Sequence, residues 1–226
     1  MGESHAWIRP DVIDKTALRD AATILLLRDG IGGPRVLMGQ RGDTAAFMPS
    51  KYVFPGGAVD RGDADAPLAR PLRAEVHAAL AQRSTLAPEA IAAAALRELA
   101  EETGQIIARP SAEPVSWPGF DGHAPDADPL RFIFRAITPP GRPRRFDARF
   151  LLASAEDVLG DPDDFSAAED ELSHLHWVPL SEARALDMPF ITEVVLAEVS
   201  AIAEGRDSPG VPFFDNSGET SVFHRL

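Results

Sequence analysis

Runs of apolar residues predict three β-strands in the first quarter of the chain. The segment from Ala21 to Arg28 (AATILLLR) is apolar enough for a buried strand, and Arg35 to Arg41 is its predicted hairpin partner across a glycine-rich turn. A short strand is predicted at Tyr52 to Phe54, and the sequence Pro-Gly-Gly at residues 55–57 ends it. Two successive glycines permit a close approach of the backbone or a positive φ.

The spacing of apolar residues becomes helical after residue 60. A helix is predicted over Leu68 to Arg83, and a second one begins at Pro88 and runs to about Thr103. Proline is tolerated in the first turn of a helix, and Gly104 supplies the stop. The stretch 109–128 is rich in proline and glycine and contains Trp and Phe, so we expect an ordered surface loop.

The second half of the chain returns to strands and then to helices. Strands are predicted at Arg131 to Thr138, Arg145 to Ala153 and Glu171 to Val178, a short helix at Ser181, a longer one from Pro189 to Gly205, and a C-terminal loop with at most one strand from Val211. Strands and helices come in blocks rather than in repeated strand–helix–strand units. This order predicts an α+β fold in which helices flank a mixed sheet.

Composition and charge narrow the functional classes. The 226 residues suit one domain, and the net charge of −13 argues against a general surface for nucleic acid or an anionic membrane. There is no cysteine, which excludes disulfides and thiolate catalysis. The polar N-terminal segment lacks the features of a signal peptide, and no apolar run approaches 18 residues. We therefore expect a cytoplasmic protein.

Three carboxylates on one helical face are the strongest chemical signal. Glu98, Glu101 and Glu102 stand at i, i+3 and i+4 in the last turns of the predicted helix. Glu98 and Glu102 repel each other, and the helix dipole disfavours negative charge at this end. Arg97 reaches Glu101 at i+4 and leaves the other two without a partner in the helix. A hard divalent cation with oxygen ligands would offset this cost.

These residues resemble the Nudix box. That pattern is Gly, five residues, Glu, seven residues, then Arg-Glu-aliphatic-any-Glu-Glu-any-Gly and an aliphatic residue. The stretch from Arg97 to Gly104 (RELAEETG) matches at every position, and seven residues separate it from Glu89. Two departures stand out: 31 residues, rather than five, lie between Gly57 and Glu89, and Gln105 replaces the aliphatic residue.

The resemblance implies a Nudix fold, an α/β/α sandwich. We expect one Nudix domain over residues 1–226, with an insertion at about 60–87 inside the box. The sequences FMPS (47–50), VFPGG (53–57) and RRFD (144–147), together with this insertion, are similar to the peroxisomal coenzyme A diphosphatase branch of the Nudix hydrolases.

The resemblance also implies roles for individual residues. The family cleaves a nucleoside diphosphate linked to another moiety, by attack of water on phosphorus with Mg²⁺ or Mn²⁺. The metal ligands would be the side chains of Glu98, Glu101 and Glu102 and the main-chain carbonyl of Gly57. One of these glutamates, or Glu171 before the last strand of the sheet, would activate water. Arg97 would orient Glu101, or alternatively reach Glu89.

Substrate binding is predicted at arginines. Arg142, Arg144, Arg145 and Arg149 form the densest basic cluster, and Arg41 follows the second strand. We expect Arg41, Arg144 and Arg145 to grip the phosphates of a small-molecule substrate through bidentate bonds. Coenzyme A or acyl-coenzyme A is the first candidate, and ADP-ribose, NADH and dinucleoside polyphosphates are alternatives. A non-catalytic Nudix-like regulator also stays open, as does a homodimer. No nucleic-acid or membrane partner is expected.

Overall fold

Strands from both halves of the chain form one mixed sheet in the computed structural model, which describes residues 17–43, 48–111, 117–206 and 209–226. The strands are β1 (Leu18–Arg28), β2 (Arg35–Arg41), β3 (Tyr52–Val53), β4 (Gly56–Ala58), β5 (Ala108–Pro110), β6 (His123–Pro125), β7 (Arg131–Ile137), β8 (Arg145–Ser154), β9 (Leu172–Pro179), β10 (Pro212–Asp215) and β11 (Val222–Arg225). The helices are α1 (Ala74–Ala81), α2 (Pro88–Thr103), α3 (Leu180–Ala183) and α4 (Phe190–Ala203), with 3-10 helices at Arg61–Asp65 and Ala155–Asp157.

The main sheet contains nine strands from the described part of the chain. Their order is β11-β10-β7-β8-β1-β2-β3, with β4 also paired to β1 and β9 to β2, while β5 and β6 form a separate pair. The central strands β1 and β8 are parallel, and their register runs from Leu18 opposite Arg145 to Leu27 opposite Ser154. This pairing places the start of β8 beside the start of β1, at one end of the sheet.

The apolar sequence of β1 explains the two layers around the sheet. Alternate residues of a strand point to opposite faces. Ile24 and Leu26 are buried on the α2 side, whereas Leu25 is buried on the opposite side with Val195 of α4. Both faces are therefore covered, and the predicted α+β fold with a mixed sheet between helices is confirmed.

Helix α2 has the predicted bounds. Pro88 occupies its first turn, and Gly104 ends it in the left-handed conformation with φ of 72°. The alanines at positions 92–95 are fully buried, so their small side chains let the helix lie close to the sheet. This close packing brings the acidic C-terminal end of α2 against β4.

Helix α1 is shorter than predicted, beginning at Ala74 rather than Leu68. Pro71 disfavours a helical conformation at the residue before it. Arg70 forms an isolated bridge with Asp126 and an ion pair with the same carboxylate. The preceding segment therefore runs extended across the surface, and the predicted helix 68–83 is wrong over its first six residues.

Two further differences involve pairings that local patterns do not reveal. The C-terminal segment contains two strands rather than at most one, because β10 and β11 form a hairpin that pairs with β7. Phe54 lies outside β3, and the glycines after it form β4 instead of a simple stop. Within the predicted loop 109–128, Phe120 is fully buried and its ring lies 5.1 Å from that of Trp117, so these aromatic residues anchor the loop.

Some predictions fall outside the described residues: those for residues 1–16 and for Phe47 of the FMPS sequence. Among the described residues, none of the helices combines the length and apolar character needed to cross a membrane.

Candidate active site

Strand β4 meets the C-terminal end of α2 at two glycines. The carboxylate of Glu98 lies so close to Gly57 that a Cβ added to this glycine would stand 2.3 Å from Oε1. A Cβ at Gly56 would come within 2.6 Å of the main-chain oxygen of Ala22 in β1. Only glycine fits between β1 and the helix here. The predicted proximity of Gly57 to the glutamates of α2 is thus present in the structure.

Arg97 donates hydrogen bonds to three of the carboxylates. Its Nη1 donates to Oε1 of Glu98 and to Oε2 of Glu101, both at 2.9 Å. Its Nε and Nη2 donate to the two oxygens of Asp63 at 2.9 and 3.1 Å, and Nη2 also donates to the carbonyl of Ala58 at 3.1 Å. The predicted contact with Glu101 is present. The expectation that Glu98 lacks a partner within the helix is wrong, since its neighbour Arg97 supplies one.

Asp63 is a further residue of this site, which the sequence patterns above did not predict. It is 2% exposed, lies in the 3-10 helix after β4, and binds Arg97 through both oxygens. The alternative that Arg97 reaches Glu89 is wrong, because Glu89 instead lies 3.2 Å from Nε2 of His77 on α1. Five residues separate Gly57 from Asp63, the spacing of the family pattern. The presence of an acidic residue at this spacing from Gly57 is the sequence feature that could have predicted Asp63.

Burial and mutual repulsion raise the proton affinity of two of the glutamates. Glu102 is 2% exposed, and its Oε2 accepts a hydrogen bond of 2.8 Å from the main-chain N–H of Gly56. Burial raises the pKa of Glu102 to about 8, and the charges of Glu98 and Glu171 act in the same direction. Burial likewise raises the pKa of Glu98 to about 7, against the opposing effect of Arg97.

Glu171 faces the same region from the loop before β9. Its Oε1 accepts from Nη2 of Arg41 at 2.7 Å, and both residues line the cavity beside Glu98. The Nε atom of Arg41 is buried without a hydrogen-bond partner. The structure therefore brings together the predicted base and one of the predicted phosphate-binding arginines.

The cavity, of about 360 Å³, lies on the α4 side of the sheet. The residues that line the cavity include the acidic side chains of Glu98 and Glu171 and apolar side chains such as Phe150 and Ile191. Arg144 lines it, as predicted. The residues lining the cavity do not include Arg145, whose Nε donates to the carbonyl of Thr138 at 3.2 Å.

The donor set suits a hard divalent cation. The candidate ligand atoms are all oxygens. The acidic side chains here, which are Glu98, Glu101, Glu102, Glu171 and Asp63, outnumber the two basic ones, Arg97 and Arg41. The described residues contain no three or more acidic or histidine side chains placed to hold a metal as they stand. Instead, Arg97 holds Glu98 and Glu101, and the Gly56 N–H holds Glu102. Burial is the main cause of the raised pKa values of Glu98 and Glu102, and a bound cation would favour the charged form of both carboxylates.

Comparison with known proteins identifies the family. The model of the NUDIX domain matches residues 17–199. The chain therefore belongs to the NUDIX family, as the sequence resemblance implied.

Individual relatives agree with this assignment. A NUDIX hydrolase from Alicyclobacillus acidocaldarius is 31% identical, with a TM-score of 0.64 over 83% of this chain and 93% of that one. A Caenorhabditis elegans protein that carries the name nudix hydrolase 7 is 30% identical in an alignment of 181 residues, which covers 73% of this chain. The chain spans about half, 52%, of the length of this curated relative. The NUDIX domain of Shewanella oneidensis NrtR, complexed with ADP ribose, has a TM-score of 0.50 over 82% of this chain and 88% of that one, at 13% identity, and shows the fold alone.

Proposed function

We propose that this protein hydrolyses the diphosphate linkage of a nucleoside diphosphate derivative with the help of Mg²⁺ or Mn²⁺. The observation that carries the proposal is the excess of buried carboxylate around Arg97, next to a cavity that also contains Arg41 and Glu171. When bound, the cation would supply positive charge that offsets the negative charge developing on the diphosphate and would acidify a water molecule. Glu98, Glu101 and Glu102, with the carbonyl of Gly57, are the proposed ligands.

Arg97 is proposed as the residue that positions these ligands. A planar guanidinium fixes the direction of each carboxylate that it binds, and here it joins Glu98 and Glu101 to the buried Asp63. Groups in contact with metal ligands commonly change affinity or activity by about 10- to 100-fold when mutated. Asp63 therefore acts through Arg97 rather than on the substrate.

Glu171 is proposed as the group that accepts a proton from the attacking water, with Glu98 or Glu101 as the alternative. Its side chain is 54% exposed and can move toward a bound substrate, whereas Glu98 and Glu101 are held by Arg97. Arg41 now pairs with Glu171 at 2.7 Å and carries a buried Nε without a partner. A substrate phosphate would compete for this guanidinium and thereby release the carboxylate.

Coenzyme A or acyl-coenzyme A is the first proposed substrate, on the strength of the VFPGG and RRFD sequences. ADP-ribose, NADH and dinucleoside polyphosphates are the alternatives, and a non-catalytic ligand-binding regulator is the alternative of another class. The presence of all three glutamates together with Arg97 favours catalysis. A cytoplasmic location and a homodimer stay predictions.

One screen tests both the reaction and its substrate. Coenzyme A, ADP-ribose, NADH and diadenosine polyphosphates are incubated with the protein and Mg²⁺ or Mn²⁺, and phosphate is measured after coupling to a phosphatase. We expect metal-dependent release, fastest from coenzyme A. Release from ADP-ribose but not from coenzyme A would overturn the substrate assignment alone. Binding without release from any compound would favour the regulator.

A further inference from the structure

The cavity has a second end, remote from the glutamates. Its floor consists of alternate residues of the parallel pair β1 and β8, which share one face of the sheet. From β1 come Thr23, Ala21 and Arg19, and opposite them stand Phe150, Ala148 and Phe146 of β8. The floor is therefore small and apolar in the middle and becomes basic where the two strands begin.

Strand register gives the distance between the two ends. Gly57, which touches Glu98, lies opposite Ala22 of β1. Arg19 is three residues farther along the same strand, which corresponds to about 10 Å at roughly 3.3 Å per residue. A group bound by Arg19 is thus well separated from a diphosphate held beside Glu98, and a single small phosphate could not contact both.

A second arginine meets Arg19 at this end. Arg144 is the residue just before β8, and it lines the same cavity. Arg19 pairs in register with Phe146, and Arg144 precedes Phe146 by two residues, so the Cα atoms of the two arginines are about 8 Å apart at roughly 3.3 Å per residue and roughly 4.8 Å between strands. Two guanidinium groups at this separation can approach one phosphate from two sides.

Neither of these two guanidinium groups has an ion pair or hydrogen bond to any residue, as judged from the described parts of the chain. Their neighbours on β8 differ. Arg145 donates to the carbonyl of Thr138, and Arg149 is buried in ion pairs with Asp20 and Asp147. In a protein with 35 acidic and 22 basic residues, two arginines that line a cavity without a carboxylate partner are available to bind an anionic ligand.

We propose that Arg19 and Arg144 form a second anion subsite, which binds a phosphomonoester on the part of the substrate remote from the scissile diphosphate. This inference rests on the proposed function and deepens it. Arg19 thereby receives a role in substrate binding, and the arginines of the cavity bind two different phosphate groups. Arg41 serves the diphosphate, whereas Arg19 and Arg144 select substrates that carry an additional phosphate.

The test uses pairs of compounds that differ by one phosphomonoester. Coenzyme A is compared with dephospho-coenzyme A, and NADPH with NADH, in the wild type and in the variants Arg19→Ala and Arg144→Ala. The matched control is Arg142→Ala, because Arg142 is an exposed arginine of the same turn that does not line the cavity. We expect each cavity variant to lower kcat/KM about tenfold or more for the phosphorylated member of a pair, through KM, and less than twofold for the other. The control should change neither.

A binding measurement separates this proposal from the proposed function. Adenosine 3′,5′-bisphosphate and AMP are titrated calorimetrically into the same four proteins, without any need for turnover. Tighter binding of the bisphosphate to the wild type, lost in both cavity variants, supports the subsite even if no compound is hydrolysed. Equal binding of the two nucleotides, together with equal kcat/KM within each pair, would overturn the subsite while leaving the hydrolase intact.

Discussion

Two buried networks of arginine and carboxylate groups lie in this protein, and they differ in their balance of charge. Arg135 and Arg149 pair with Asp147, and Arg149 also pairs with Asp20, so two cations meet two anions. In the other network, Arg97 alone contacts Asp63, Glu98 and Glu101. We call the first the balanced network and the second the acid-rich network.

The balanced network connects elements of the fold and has a structural role. Arg135 donates to Asp147 at 2.7 and 2.8 Å and also to the carbonyls of Gln82 and Arg83 after α1. Arg135 therefore joins β7, β8 and the end of α1. The two positive and two negative charges of this network balance within the protein, although the buried Nε of Arg149 has no hydrogen-bond partner among the described residues. The acid-rich network leaves negative charge uncompensated beside a cavity. That difference indicates that only the second network needs a ligand from solution to complete it.

The largest expected effect is loss of turnover in the acid-rich network. Glu101→Gln and Glu102→Gln each remove one proposed metal ligand while keeping the shape of the side chain. We expect Mg²⁺-dependent turnover to fall about 10²- to 10³-fold, since several kcal/mol of charge stabilisation are lost. Circular dichroism and thermal unfolding should show a folded protein. Unchanged turnover in both variants would remove the metal assignment.

A change in the balanced network should instead affect stability. Asp147→Ala leaves Arg135 and Arg149 buried without their shared partner, so we expect the free energy of unfolding to fall by about 3–5 kcal/mol. The folded fraction of the variant is measured by unfolding in urea, and the measured turnover is divided by it. This turnover per folded molecule should stay within about threefold of the wild-type value. Asp163→Ala is the control, because the Asp163 carboxylate is exposed to solvent and its ion pair with Arg28 is therefore weak. Loss of turnover without loss of stability would contradict the division into two networks.

A smaller effect is expected at Asp63. Asp63→Asn removes the charge that faces Nε and Nη2 of Arg97, and turnover should fall about 10- to 100-fold as the glutamates lose their orientation. Glu89→Gln is the matched control, since Glu89 is partly exposed and lies beside the half-exposed His77 instead of Arg97. It should change turnover less than about twofold and stability by under about 1 kcal/mol. The reverse ranking would restore Glu89 as the partner of Arg97.

The smallest predicted effect is a dependence of stability on pH. Because the pKa values of Glu98 and Glu102 are raised to about 7 and about 8, the folded metal-free protein binds these protons more tightly than the unfolded chain does. Stability from this source is complete at low pH and is lost as pH rises from about 5 to 8. We expect the Tm of the metal-free protein to fall by a few degrees over this range, and by less in Glu102→Gln. A Tm that rises with pH equally in both proteins would contradict the raised pKa values.

Local signals in the sequence predicted the bounds of α2 and one of its side-chain contacts. Pro88 and Gly104 mark its ends, and the contact of Arg97 with Glu101 follows from i, i+4 geometry alone. Long-range relations were harder to predict. Asp63 reaches Arg97 across 33 intervening residues, and the only sequence signal for it was its spacing of five residues from Gly57.

The same distinction explains the errors elsewhere. The β10–β11 hairpin depends on pairing with β7 rather than on its own alternation. Helix α1 begins late because Pro71 and the bridge of Arg70 to Asp126 override a pattern that looks helical. Arg144 and Arg145 are neighbours in sequence, but a strand turns successive side chains to opposite faces, and only Arg144 lines the cavity.

The most direct test of the acid-rich network is a titration with Mn²⁺ at pH 6 and pH 8, followed by calorimetry in two buffers of different ionisation enthalpy. Glu98 and Glu102 must lose their protons to bind a cation. The wild type should therefore bind Mn²⁺ more tightly at pH 8 and release protons at pH 6, whereas the double variant Glu98→Gln/Glu102→Gln should bind weakly at both. Equal affinity of the wild type and the double variant at both pH values would contradict the account.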